Sequence, residues 1–268
     1  MTLLTVITVV KDDPSGLDST LASLDAQEPA DIGVVVIDGS SDREAVPAVL
    51  SRHPTSPVDY SWSPPSGVYG AMNEGLRKAS GSYVYFLNAG DVLAGVDVLQ
   101  RITVQLAAAS PVWAYGRVTF LGTDALAMPE PDWDYDTELH HWFARGRFPA
   151  HQGVVTSTSE LIRQGGFDTS YQVAADYASI LRCARSARPL DLGFTLAEFT
   201  VGGLSTQKWR LAQQEFHRAR RAAFDLDGLD SVREQAYTLR ALAAASAYRA
   251  LWAPGRPAHE LVRRLRAR

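Results

Sequence analysis

A single cysteine, Cys183, stands in a chain of 268 residues. The chain therefore has no disulfide framework and no cysteine-built metal site. Cys183 lies in a helical-looking run, Tyr177–Ala187, and reads as a buried structural thiol. No apolar run reaches the roughly 18–20 residues that a membrane span requires. The apolar start, Met1–Lys11, lacks a basic leader and a small-residue cleavage site. It reads as a first strand, and the chain as cytoplasmic.

Other absences narrow the chemistry. There is no G-x-x-x-x-G-K-[ST] loop, which argues against a P-loop nucleotidase. The first strand–helix turn has no G-x-G-x-x-G, against a dinucleotide-binding dehydrogenase. G-x-S-x-G is missing, against an α/β-hydrolase. The six histidines form no H-E-x-x-H, and the adjacent His140-His141 project differently on a helix. The net charge is −4, so the whole molecule carries no nucleic-acid signature. The charge is uneven, however. Residues 207–268 hold 13 Lys and Arg against 6 Asp and Glu, which leaves 13 basic and 24 acidic residues in the rest. A tail of +7 on a body of −11 fits an anionic surface such as a membrane, or equally a solvated helical face.

What is present is ordinary globular composition, 46% hydrophobic and 21% charged, in a clear alternation. Leu3–Val10, Gly33–Ile37, Val58–Trp62, Tyr83–Leu87 and Trp113–Phe120 read as strands, rich in β-branched and aromatic residues. Leu17–Gln27, Arg43–Arg52, Val68–Ala79 and Val98–Ala109 read as helices between them, with Gly81 suiting the end of the third. This β-α-β-α series predicts a mostly parallel sheet covered on both faces. Residues 121–150, with prolines at 129, 131 and 149, read as irregular. A short strand at Val154–Thr156, a turn at Glu160–Gln164, a helix at Ala174–Ala187 and a strand at Leu190–Thr200 follow. From Lys208 the pattern is helical, with breaks near Gly228 and Pro254-Gly255.

Ligands on parallel sheets bind at the carboxyl ends of the strands. Polar clusters sit there: Lys11-Asp12-Asp13, Asp38–Asp42 and Asn88–Asp91. Asp91, on a glycine turn, suits Mg²⁺ or Mn²⁺ completed by diphosphate oxygens, or else caps the next helix. Asp38 offers hydrogen bonds to a base or ribose, while Ser41 or Asp42 suits the cap of the following helix. Asp176, at a helix start in apolar company, suits a general base or an N-terminal cap. Asp132, Asp134 and Asp136 form two overlapping D-x-D pairs, but they follow prolines instead of a strand and read as a loop.

Taken in order, these segments resemble the inverting family 2 glycosyltransferases of the GT-A fold. They are most similar to the subgroup that builds bacterial exopolysaccharides (colanic-acid type) and mycobacterial glycolipids. Val36-Ile37-Asp38-Gly39-Ser40-Ser41-Asp42 resembles V-D-G-G-S-T-D. Gly67-Val68-Tyr69-Gly70-Ala71-Met72-Asn73-Glu74-Gly75 resembles G-I-Y-D-A-M-N-K-G, and Phe86-Leu87-Asn88-Ala89-Gly90-Asp91 resembles F-L-N-S-G-D. His151-Gln152, Ala175-Asp176-Tyr177 and Gly202-Gly203-Leu204-Ser205 resemble later blocks. The resemblance implies a GT-A domain over 1–206, with 1–120 as the nucleotide-sugar half and 121–206 as the acceptor half. Residues 207–268 form a C-terminal helical extension. It implies Asp91 as the metal ligand and Asp176 as the general base. Thr8, Val10, Lys11, Asp38, Asn73, Asn88 and Gly90 fall to the donor. His151, Gln152, Gly202, Gly203 and Ser205 fall to diphosphate or acceptor.

The implied cofactor is a divalent metal, Mn²⁺ or Mg²⁺. The implied partners are a nucleotide-sugar donor and a saccharide, lipid-linked or small-molecule acceptor. Arg263, Arg264 and Arg266 would bring the tail to a membrane surface. Three positions depart from the pattern: Gly90 replaces a first aspartate, Ser63-Pro64-Pro65 replaces E-P-D, and Gly70 replaces an aspartate. The loss of these carboxylates leaves a non-catalytic nucleotide-sugar binder as a competing expectation. A nucleotidyltransferase is a third, although Lys11 is the lone lysine of its first loop.

Overall fold

The computed structural model describes residues 2–53, 58–121, 135–200, 208–224 and 226–252. Eight strands form one sheet in the order β3-β2-β1-β4-β7-β6-β8-β5. Their ranges are β1 Leu4–Val10, β2 Ile32–Asp38, β3 Val58–Trp62, β4 Tyr83–Phe86, β5 Val92–Leu93, β6 Trp113–Leu121, β7 Val154–Ser157 and β8 Leu190–Thr200. β1 pairs in parallel with β2 and β4, and β2 with β3. β7 runs antiparallel to both β4 and β6, while β6 and β8 run parallel. The fold is α/β with a mostly parallel sheet, as the alternation predicts. The order 3-2-1-4 puts a topological switch point between β1 and β4, where a parallel sheet opens a crevice.

β1 is buried along its whole length, the mark of a strand covered on both faces. One face packs Leu17 and Leu21 of α1 (Pro14–Asp25), Val46 of α2 (Ala45–Leu50), and Leu99 and Ile102 of α4 (Val98–Ala109). The other packs Met72 and Leu76 of α3 (Val68–Lys78) and Ile180 and Leu181 of α7 (Ala175–Ser186). A short helix α6 (Thr158–Arg163) follows β7.

Two readings of the sequence need correction. The stretch 121–150 is not irregular throughout, since α5 occupies Tyr135–Ala144 and buries Trp142 and Phe143. Asp136 lies in α5, while Asp132 and Asp134 fall outside the described residues. Gly81 does not end α3 in a left-handed turn. A Cβ there would stand 2.7 Å from the Thr5 nitrogen. Close approach to β1 therefore explains the glycine.

The helical end of the chain is α8 (Trp209–Phe224) and α9 (Gly228–Trp252). They are tied by a buried ionic cluster. Glu234, with a fully buried side chain, accepts from Arg220 at 2.8 Å, His140 at 2.7 Å and His217 at 2.8 Å. Burial alone would raise the Glu234 carboxyl, yet the bonds from His140, Arg220 and His217 hold it down at about 2. Removing one partner of a buried pair strands the other. Glu234→Ala is expected to lower unfolding stability by about 3–5 kcal/mol. Urea unfolding checks this, and a loss below about 1 kcal/mol would contradict it.

Candidate active site

The strand ends β1, β2, β3 and β4 meet on one side of the sheet. There a cleft of about 230 Å³ is lined by Val10, Lys11, Gly39, Ser63–Val68 and Asn88, among others. Its walls are largely apolar at Pro64, Pro65, Val68 and Ala71. These include the positions where the related pattern carries E-P-D. Of the residues expected at the donor, Val10, Lys11 and Asn88 line this cleft.

Thr8 and Asp38 are not in its wall: both are fully buried behind it. One oxygen of Asp38 accepts the Ser40 N–H at 2.7 Å and the other the Tyr60 hydroxyl at 3.0 Å. Burial, with Asp38 beside it, pushes the Tyr60 hydroxyl up to about 12, so it stays a donor. The Thr8 Oγ1 is buried without a partner among the described residues. The loop after β2 is drawn to the end of β1 by Asp12, whose Oδ1 accepts the Ser41 N–H at 2.7 Å. Asp42 accepts the Glu44 N–H at 3.0 Å, a turn ahead of α2.

Asn73 is also placed away from the cleft. Its amide donates to the Phe167 carbonyl and accepts the Phe167 N–H, both at 2.8 Å. It fastens α3 to the loop before α7.

Asp91 sits on the turn that leaves β4. Gly90 takes φ +93, a conformation that glycine adopts without strain. The Asp91 N–H closes the turn on the Asn88 carbonyl at 3.0 Å. Thr20 of α1 clasps this turn: its hydroxyl accepts the Gly90 N–H at 3.0 Å and lies 2.7 Å from the Asp91 carbonyl. Asp91 does not cap the next helix, because Asp97 occupies the N-cap of α4. The residue is 8% exposed. Burial pushes its pKa up to about 7, and the side chain of Gln152 opposes the rise in part. Asn88 Oδ1 in the same turn is buried without a partner among the described residues.

This shift sets a pH dependence. The folded value of about 7 exceeds the ordinary 3.8. Between these values the folded chain holds a proton that the unfolded chain has released. The group's contribution to stability is therefore greatest below about pH 4, falls as pH rises to about 7, and is flat above. The expected slope is up to about 1.4 kcal/mol per pH unit in that window. Urea unfolding of the metal-free chain against Asp91→Asn measures it, and identical slopes would contradict it.

Asp176 is the second residue of α7, whose N-cap is Ala174, so Asp176 does not fill the cap position. Its Oδ1 accepts the Tyr69 hydroxyl at 3.0 Å and its own neighbour's N–H, from Tyr177, at 2.8 Å. Burial and the Asp176 charge push the Tyr69 hydroxyl strongly upward, so it remains a donor. His151 and Gln152, in a 3-10 turn before β7, lie between the two carboxylates. His151 shares a small buried cavity with Asp176, lined also by Phe86 and Phe167. The Gln152 side chain is near enough to Asp91 to oppose the rise of that carboxyl, and the Gln152 carbonyl accepts the Tyr85 hydroxyl at 2.8 Å. The His151 Nε2 is buried and lacks a partner among the described residues. Burial lowers its pKa, against the pull of Asp176, and keeps it neutral near pH 7.

Gly202, Gly203 and Ser205 lie outside the described residues. Tyr69 and Thr20 are the site residues that sequence reasoning missed. Tyr69 stands inside a quoted motif. Thr20 gives no local signal beyond a hydroxyl in a helix.

Comparison with known proteins shows which family has this chain's sequence and fold. The family model described as Glycosyl transferase family 2 matches residues 5–116. An uncharacterized glycosyltransferase of Mycobacterium tuberculosis is 31% identical over 207 residues, 76% of this chain and 77% of that one. A PGL/p-HBAD biosynthesis glycosyltransferase of Mycobacterium bovis is 26% identical over 170 residues, 62% and 64% of the two chains. Among solved structures, residues 1–349 of S. aureus TarS superpose with TM-score 0.67 at 15% identity, covering 96% of this chain and 77% of that one. The chain spans 43% of the longer TarS chain. The mannosyltransferase PcManGT from Pyrobaculum calidifontis, in complex with GDP-Man and Mn²⁺, superposes with TM-score 0.62 at 21% identity, covering 98% and 79%. The chain belongs to the family 2 glycosyltransferases and has the GT-A fold.

Proposed function

We propose that this chain transfers a sugar from a nucleotide-sugar donor to an acceptor hydroxyl in one displacement that inverts the anomeric carbon. The observation that carries this reading is the pairing across His151-Gln152. His151 shares a cavity with Asp176, and the side chain of its neighbour Gln152 is near enough to Asp91 to oppose the rise of that carboxyl. The donor nucleotide lies in the cleft against Val10, Lys11, Gly39 and Ser63–Val68. Asp176 takes the proton of the acceptor hydroxyl as that oxygen attacks the anomeric carbon. The bond from that carbon to the diphosphate breaks, and the nucleoside diphosphate leaves with its electron pair. Tyr69 holds Asp176 in place, and His151, neutral, orders the space beside it.

The residues present fit a divalent metal. Asp91 is a buried carboxylate raised by burial, and Asn88 Oδ1 beside it is unpartnered among the described residues. Oxygen donors of this kind suit Mn²⁺ or Mg²⁺. Among the described residues no group of three or more His, Cys, Asp or Glu is placed to hold a metal by itself. Asp91 would hold the ion together with diphosphate oxygens, and the ion would neutralise charge on the leaving group.

Residues 1–206 form the transfer domain in this reading, with the donor on 1–120 and the acceptor on 121–206. TarS has been crystallised with UDP and with UDP-GlcNAc, and PcManGT with GDP-Man. These support a nucleotide-sugar donor. The mycobacterial PGL/p-HBAD relative supports a saccharide, glycolipid or other small acceptor. No described helix is long and apolar enough to cross a membrane. The reading puts the chain in the cytoplasm, with tail 207–268 as a peripheral contact. Co-sedimentation with anionic vesicles, reversed by salt, tests that contact.

Turnover tests the transfer step and its stereochemistry. The chain is incubated with Mn²⁺, nucleotide-sugars and an acceptor panel, and nucleoside diphosphate release and product anomer are measured. A product of inverted configuration supports the reading. A retained configuration or no turnover contradicts it.

A further inference from the structure

Asp176 is held from the far end of the chain. Glu215, on α8, has a buried side chain. Its Oε1 accepts the Gln172 N–H at 2.8 Å and its Oε2 the Val173 N–H at 2.9 Å. These amides lie just ahead of α7, three and four residues before Asp176. Among the described residues they are the hydrogen-bond partners of Glu215. Burying a carboxylate costs several kcal/mol unless it is well bonded, so an apolar residue would serve simple packing better. Two charge-assisted bonds instead fix both the height and the rotation of this segment.

The same helix reaches past Asp176 as well. The Phe216 ring lies 4.2 Å from that of Tyr177, and the Arg220 guanidinium donates to the Tyr177 hydroxyl at 2.9 Å. Arg220 is itself locked to Glu234 of α9. Phe216 and Arg220, four residues apart, share one side of α8, and Glu215 stands about 100° around the helix from Phe216. The helix thus grips the chain on both sides of Asp176, at 172–173 and at 177, while Tyr69 holds its carboxylate.

We infer that α8 is a working part of the transfer site, with Glu215 as a positioning residue for Asp176. The inference rests on the reading of Asp176 as the general base. The residues matched to the family, 5–116, do not include this helix. A displacement of the base by about 1 Å is enough to lower turnover by up to about 100-fold.

The test compares the full-length chain with Glu215→Ala, Glu215→Gln and Asp176→Asn. Turnover is read as nucleoside diphosphate release from UDP-GlcNAc, UDP-glucose, GDP-mannose and dTDP-glucose with Mn²⁺ and the acceptor panel. Glu215→Ala is expected to lower kcat by about 10- to 100-fold with the donor KM changed less than about threefold. Glu215→Gln keeps one acceptor oxygen and should fall between. Amide exchange at Gln172 and Val173 should quicken in the same order. Wild-type kcat in Glu215→Ala overturns the inference. So does loss of nucleotide-dependent thermal stabilisation together with kcat, because that is a structural role. Should Glu215→Ala fail to fold, Glu215→Gln decides: a lower kcat at unchanged donor KM supports the inference, and wild-type kcat overturns it. A fully active Asp176→Asn overturns the base assignment and this inference with it. An inactive Asp176→Asn beside a fully active Glu215→Ala overturns this inference alone.

Discussion

Asp176→Asn is expected to lower kcat by about 10²- to 10⁴-fold, the usual contribution of a positioned base. Donor binding should be preserved. The change is nearly isosteric, and an amide oxygen still accepts the Tyr69 hydroxyl and the Tyr177 N–H that Oδ1 accepts now. What is lost is basicity, and with it the destination of the acceptor's proton. The cost therefore falls on kcat, with little change in donor KM. Tyr69→Phe removes the hydrogen bond but leaves the carboxylate, so its effect should be smaller. Steady-state kinetics of both variants checks the order. An Asp176→Asn variant that turns over like wild type would show that another group takes the proton.

Asp91→Asn is expected to abolish the part of nucleotide binding that depends on a divalent cation. The side chain is buried on a turn held by Gly90 and Thr20, so the substitution should leave the backbone in place. Asn retains one oxygen but no charge, and hard cations bind carboxylates in preference to neutral amides. A ligand present at 100 times its Kd stabilises the folded state by about 2.7 kcal/mol. The account predicts that Mn²⁺ adds to nucleotide stabilisation in the wild-type chain and adds nothing in Asp91→Asn. Calorimetric titration with and without EDTA gives the same comparison as affinities. Equal metal dependence in the two proteins would place the cation elsewhere.

Much of the sheet was legible because its parallel strands are buried on both faces. Such strands read as continuous apolar runs, as in Leu4–Val10 and Val34–Ile37. The helix Val98–Ala109 was bounded correctly by its apolar spacing. The antiparallel course of β7 was not legible, since a four-residue strand carries no sign of direction. β5 has two residues and leaves no pattern. α5 was hidden by the prolines around it, although Leu139, Trp142 and Phe143 have helical spacing.

In the site, Asp91 and Asp176 were legible as carboxylates at the right places along the alternation. Sequence alone could not separate ligand or base from helix cap. In the fold Asp97 and Ala174 take the caps, which removes the cap reading and leaves the ligand and base roles to the proposed experiments. Asn73 shows the opposite outcome. An amide in a ligand-like motif proves to be bonded twice to the backbone of Phe167, far along the chain. Glu215 gave no signal at all. A lone acidic residue in a basic helix looks like any solvated charge until the fold brings the Gln172 and Val173 amides to it.

The measurement that tests the central claim most directly is a thermal-shift panel. UDP, GDP, dTDP and CDP are each added to the wild-type chain with Mn²⁺, Mg²⁺ or EDTA, because a ligand of the folded state raises the melting temperature. The account predicts a rise with one nucleoside diphosphate that is larger with the cation and is reduced by EDTA. No rise with any of the four, under any of the three conditions, would contradict a nucleotide-sugar site at these strand ends.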